Sequence, residues 1–168
     1  MNHATILNLY KFNLKYAQEL VADVDDEMMA ISPSKGLENH PAWTLGHLVT
    51  AAGLTAKYLG AEYKISKEWD EIFRRRGPGD PRTPTDTKYP SKSELLKALT
   101  VGHSEVEQLL EDMSDEFLDT ETRWRFSEHL PTNRELIYFM CVTHEAMHLS
   151  QLASWRRAMD LPSALANL

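Results

Sequence analysis

The chain has 168 residues, 42% hydrophobic and 26% charged, with 25 acidic against 18 basic side chains and a formal net charge of −7. That length suits one compact domain, residues 1–168, and the composition is too apolar for a disordered chain. The acidic balance argues against nucleic acid as the main partner, a single cysteine excludes an intrachain disulfide, and no apolar run is long enough to span a membrane. A cytoplasmic protein acting on a small molecule is the expectation, with a homodimer left open.

Leu7, Tyr10, Leu14, Ala17, Val21 and Val24 alternate spacings of three and four, which predicts a first helix over residues 4–24 burying one stripe. After the turn signal Ser32-Pro33-Ser34-Lys35-Gly36, a second stripe runs through Trp43, His47, Ala51, Leu54 and Tyr58. Residues 61–90 are broken by Gly77-Pro78-Gly79-Asp80-Pro81 and Pro84, with a short helical piece around Trp69, Ile72 and Phe73. A loop of that length in a compact domain often covers a site, and Arg74, Arg75 and Arg76 would then meet an anionic substrate or cofactor carboxylate. Ser91 with Glu94 opens helix three as a capping box, and Leu96, Leu99, His103, Val106, Leu110, Met113 and Phe117 carry its stripe. Thr132 with Glu135 opens helix four, whose stripe is Ile137, Cys141, His144, His148, Gln151, Trp155 and Ala158. No segment alternates as a strand, so the chain reads as all-α, a four-helix bundle whose core can hold a cofactor.

Helix four contains His144-Glu145-Ala146-Met147-His148, two histidines at the spacing that points both imidazoles one way. The string also satisfies the H-E-x-x-H signature of zinc proteases. Those enzymes need a third ligand downstream, and residues 149–168 hold neither histidine nor glutamate; Gln151 and Ser154 stand where the extended pattern wants glycine and histidine. His47, on the inward face of helix two, is the upstream candidate. Three imidazoles suit zinc, nickel, iron or copper, and a fourth position left to water or substrate makes such a site catalytic in type. The bland alternative is three buried histidines that bond to each other.

Glu145, beside a ligand, is a candidate general base or a partner that orients an imidazole. Cys141, one turn before His144, is either a soft ligand or a small buried hydrophobe. His103 is either a fourth ligand or a bonded core residue, and His40 is placed to rim the pocket. Trp43, one turn from His47, and Gln151 and Trp155, following His148, are expected to line a cofactor pocket.

Trp43-Thr44-Leu45-Gly46-His47-Leu48, taken with His144-x-x-x-His148, Gln151 and Trp155-Arg156-Arg157, resembles the DinB-like superfamily of metalloenzymes. The resemblance covers nearly the whole chain, including Tyr89-Pro90-Ser91 and Leu130-Pro131-Thr132 at the starts of helices three and four. It implies an up-down-down-up four-helix bundle with one divalent metal, zinc or nickel first and iron also allowed, on His47, His144 and His148. It further implies a transferase or isomerase that uses a low-molecular-weight thiol such as mycothiol, bacillithiol or glutathione on a small electrophile. Leu149-Ser150 departs from the Arg-Gly that many relatives carry before the glutamine. The alternatives are a metal-dependent hydrolase, with Glu145 moving the proton of an ion-activated water, and a non-catalytic metal-binding or sensing bundle.

Overall fold

The computed structural model describes residues 3–75 and 87–168. Among them lie helices α1 (His3–Val21), α2 (Pro41–Tyr58), α3 (Lys67–Phe73), α4 (Lys92–Glu111), α5 (Asp115–Leu118), α6 (Asn133–Tyr138) and α7 (Glu145–Ala158), with no strand. Arg76 and the Gly77-Pro78-Gly79-Asp80-Pro81 and Pro84 breaks of the long loop fall outside the described residues. None of the described helices is long and apolar enough to cross a membrane.

Both capping boxes form: the Ser91 and Thr132 side chains accept the amides of Glu94 and Glu135, whose carboxylates accept the cap amides in return. Helix three stops at Glu111, so Met113 and Phe117 leave the expected stripe; Ser114 caps a new short helix, α5, and ends the run. Helix one ends three residues before its expected limit of 24.

The larger correction concerns helix four, which is three pieces. Between α6 and α7, residues Phe139–His144 form a π turn. Such a turn closes i→i+5 and is wider than an α turn, so it swings His144 off the stripe of Cys141, while Glu145, four residues on, stays on that face. Cys141 and Glu145 are accordingly buried together, and His144 is turned toward α2. Asn13 of α1, itself buried, donates to the Cys141 and Val142 carbonyls at 3.1 and 3.4 Å, which satisfies oxygens inside the wider turn.

The main packing pairs are α1 with α4, α4 with α2, α2 with α7, and α7 with α1, a closed ring of four. Their core divides in two. One apolar cluster includes Leu20, Trp43, Leu48, Leu99, Leu152 and Trp155; the other includes Tyr10, Ala52, Val106, Leu110, Leu136 and Cys141. At intermediate helix positions stand buried polar residues, Asn13, His47, His103, Glu145 and His148. At the far end Arg156, almost fully buried, pairs with Asp23 and donates to the Leu20 and Pro162 carbonyls, which tethers the chain after α7.

Candidate metal centre

Each of the three histidines is set by a different local device. His40 caps α2 through its Nδ1, which accepts the Trp43 amide at 3.2 Å, and Pro41 supplies the first helical position. His47 follows nearly two turns later. Its neighbour Gly46 lies against the ring of Phe73, and a Cβ there would run into that ring. This close approach brings the end of α3 onto α2, where the Phe73 carbonyl accepts from His47 Nδ1 at 2.8 Å. A carbonyl can only accept, so the proton sits on Nδ1 and the lone pair is on Nε2.

His148 is also held through Nδ1, but by a side chain. Its Nδ1 donates to Gln151 Oε1 at 3.1 Å, an oxygen that also accepts from Asn39 Nδ2 at 2.9 Å, and Asn39 Oδ1 accepts from Arg75 at 2.9 Å. Arg75 lies 4.4 Å over the Trp43 ring, which stacks on His47 with ring centres 4.8 Å apart and planes at 9°. Two imidazoles are thus oriented by one network of side chains, the arrangement that fixes tautomers around metal ligands. His144 is delivered by the π turn.

The donor atoms of His47, His144 and His148 all lie within 4.8 Å of one another, and His47 Nε2 is 3.3 Å from His144 Nε2. Two nitrogens on a tetrahedral zinc at ordinary bond lengths are also about 3.3 Å apart, so the donor spacing fits a metal of that kind. Burial lowers the His47 pKa to about 3, that of His144 to about 4 and that of His148 to about 2, with mutual repulsion adding to the effect at His47 and His148. All three are neutral at pH 7, the form that can donate to a metal.

These shifts set an expected pH response of the metal-free chain. The folded histidines stay neutral down to about pH 4, whereas unfolded ones take up protons below about pH 6.5. The unfolded state binds more protons in that window, so stability is present above it and falls as pH drops, by up to about 1.4 kcal/mol per pH unit per histidine. Denaturant midpoints of metal-free protein between pH 7 and 5 should decline, and less steeply for His148→Gln. A midpoint that stays flat across the window contradicts the burial argument.

The other expected site residues separate. Glu145 does not face the imidazole cluster: four residues after the buried Cys141, it lies on the core face, its Oε1 2.9 Å from His103 Nε2 and both side chains almost fully buried. Burial pushes its carboxyl above the usual range, and the facing His103 opposes that shift. His103, stacked on Tyr10 at 3.8 Å, is therefore a core partner rather than a fourth ligand. Trp155 is fully buried, bonds the Ile31 carbonyl and is part of the apolar core rather than a pocket wall. Trp43 backs His47, and Gln151 orients His148. Cys141 packs with Ile137 and Tyr10, and burial raises its thiol well above the usual range.

The sequence model of the DinB superfamily matches residues 9–152. The chain belongs to that superfamily. No curated protein matches it. Membership and the three-histidine cluster are both compatible with a metal-binding protein.

In this DinB protein the three histidines edge a cleft of about 550 Å³. Arg74 and Arg75 line it, so the described start of the long loop does lie on the histidine side. A second wall, Trp124, Arg125, Phe126 and Phe139, was not anticipated from sequence. Its signal was weak, since Trp124-Arg125-Phe126 lies between helices with no period to place it. The bridge between Glu121 and Thr132 and the bond from Trp124 Nε1 to the Leu130 carbonyl, 2.7 Å, hold that segment in shape.

Proposed function

We propose that this chain is a metal-dependent enzyme, of thiol S-transferase or isomerase type, that holds a divalent ion on His47, His144 and His148 and acts on a small electrophile. The observation that carries the reading is the open side of the cluster: three imidazoles, two of them held through Nδ1, face a cleft, and among the described residues no fourth histidine, cysteine or carboxylate joins them. A closed, structural or sensing site would fill that position from the protein. Zinc or nickel fits a borderline all-imidazole set best, with iron next.

The order of the two apolar clusters along the helices supports an up-down-down-up bundle. Along α1 the Tyr10 cluster comes first and the Leu20 cluster second, along α2 and α4 the order is reversed, and along α6–α7 it returns. The long connection between α2 and α4 has the length a crossover between parallel neighbours needs.

When bound, the ion supplies a Lewis acid that lowers the pKa of a thiol or a water at its open position. The chain's own groups favour the thiol. No carboxylate lines the cleft among the described residues and Glu145 is committed to His103, so none of the described acids is placed to take a proton from a water there. A thiol ionises far more readily and needs none. Cys141 is buried in the core, so the sulfur comes with a small molecule. The Phe73 carbonyl and Gln151 keep Nδ1 protonated on two ligands, and Trp43 and Phe73 shield their backs from water.

Cobalt-substituted protein titrated with glutathione, bacillithiol, mycothiol and coenzyme A tests this. One of them should raise a sulfur-to-metal charge-transfer band. Silence from all four, alongside measurable ester or amide hydrolysis, moves the assignment to a hydrolase.

A further inference from the structure

The cleft has a charge pattern opposite to that of the chain. In a protein of net charge −7, its described lining includes Arg74, Arg75 and Arg125 and no aspartate or glutamate. The arginines are held differently. Arg75 is fixed on Asn39 and the Trp43 face, and its charge is near enough to disfavour protonation of His47 and His148. Arg74 is exposed and lies 3.5 Å from Asp70. Arg125 is exposed, has no carboxylate partner among the described residues and lies 5.0 Å over Phe126. Trp124, Phe126 and Phe139 pack with ring centres 5.3–5.4 Å apart, and Phe139 continues to the ring of His144 at 6.1 Å. An apolar face therefore runs from the imidazole cluster to an arginine that meets no acid among the described residues.

We propose that the electrophilic substrate is an organic carboxylate with an aromatic or similarly broad apolar body, which lies on Trp124, Phe126 and Phe139 with its carboxylate at Arg125. This rests on reading the cleft as the active site. The argument is chemical: a guanidinium on an aromatic wall recognises a planar anion attached to a flat apolar group, whereas the polar sugar and peptide thiols have little to set against three aromatic rings. The volume of about 550 Å³ is in the range of small-molecule pockets.

The probe is 3-phenylpropanoate, with neutral 3-phenylpropan-1-ol as its control, followed by calorimetry on the full chain, zinc-loaded and zinc-free. Zinc-free protein is included because a carboxylate can bind zinc directly. The acid should bind both forms at least about ten-fold more tightly than the alcohol, and Arg125→Gln should remove most of that preference in the zinc-free form. Arg125 is exposed, so the variant should keep the parent's thermal midpoint; Arg74→Gln/Arg125→Gln should weaken the acid further. Equal binding of acid and alcohol, or an undiminished preference in Arg125→Gln, overturns the proposal. So does glutathione binding that depends on Arg125 where phenylpropanoate does not bind, since that assigns the cation to the thiol. Zinc uptake is measured on the same samples: zinc bound without a carboxylate preference sinks only the substrate class, and a carboxylate preference in protein that takes up no zinc when loaded sinks only the metal assignment.

Discussion

Wild-type protein purified without an affinity tag should carry about one divalent ion per chain, and the His144→Ala/His148→Ala variant almost none. Single alanine changes at His47, His144 or His148 should each weaken binding by orders of magnitude, because the remaining two imidazoles cannot complete the set. Changes beyond the ligands should have graded effects. Gln151→Leu removes the acceptor of His148 Nδ1 and frees that ring to rotate and change tautomer, for a loss of about 10–100-fold. Competition with a chelator of known affinity measures all of these. Stoichiometric metal in the double variant refutes the ligand assignment and returns the cluster to three histidines that bond one another.

Glu145→Ala should be strongly destabilising, lowering stability by about 3 kcal/mol and the thermal midpoint by about 6–12 °C. The substitution leaves His103 Nε2 buried with no partner and opens space beside Tyr10 and Cys141. Glu145→Gln keeps the volume and an oxygen for His103, so it should lose clearly less. It should also retain the metal and the thiol charge-transfer band, because the carboxylate is committed to the core. A Glu145→Gln protein that is stable and metal-loaded but no longer ionises a bound thiol would reinstate Glu145 as a proton acceptor.

The two variants separate what is local from what is not. The helices, their starts and the ligand candidates are short-range properties: capping boxes span three residues, apolar stripes repeat every three or four, and His144 and His148 are four apart on one helix. Such features can be read residue by residue, as could the short helix around Trp69 and Phe73. His47 needed only the further assumption that helices two and four are neighbours. The placement of His144 depends instead on one wider turn, a departure from α geometry that leaves the spacing of residues in the sequence unchanged. Its carbonyls at Cys141 and Val142 are met by Asn13, more than a hundred residues away in the chain. Gly46 is likewise informative only once Phe73 is known to lie on it. The aromatic and arginine wall at Trp124–Phe126 has no periodicity, and Trp155 at ligand-stripe spacing reads equally as pocket wall or core until its buried indole is seen to bond the Ile31 carbonyl. By itself the sequence determined the helices and the three imidazoles. Only the tertiary structure decided which groups face them, because the rotation of one helical segment and the path of an aperiodic loop are set by contacts between residues far apart in the chain.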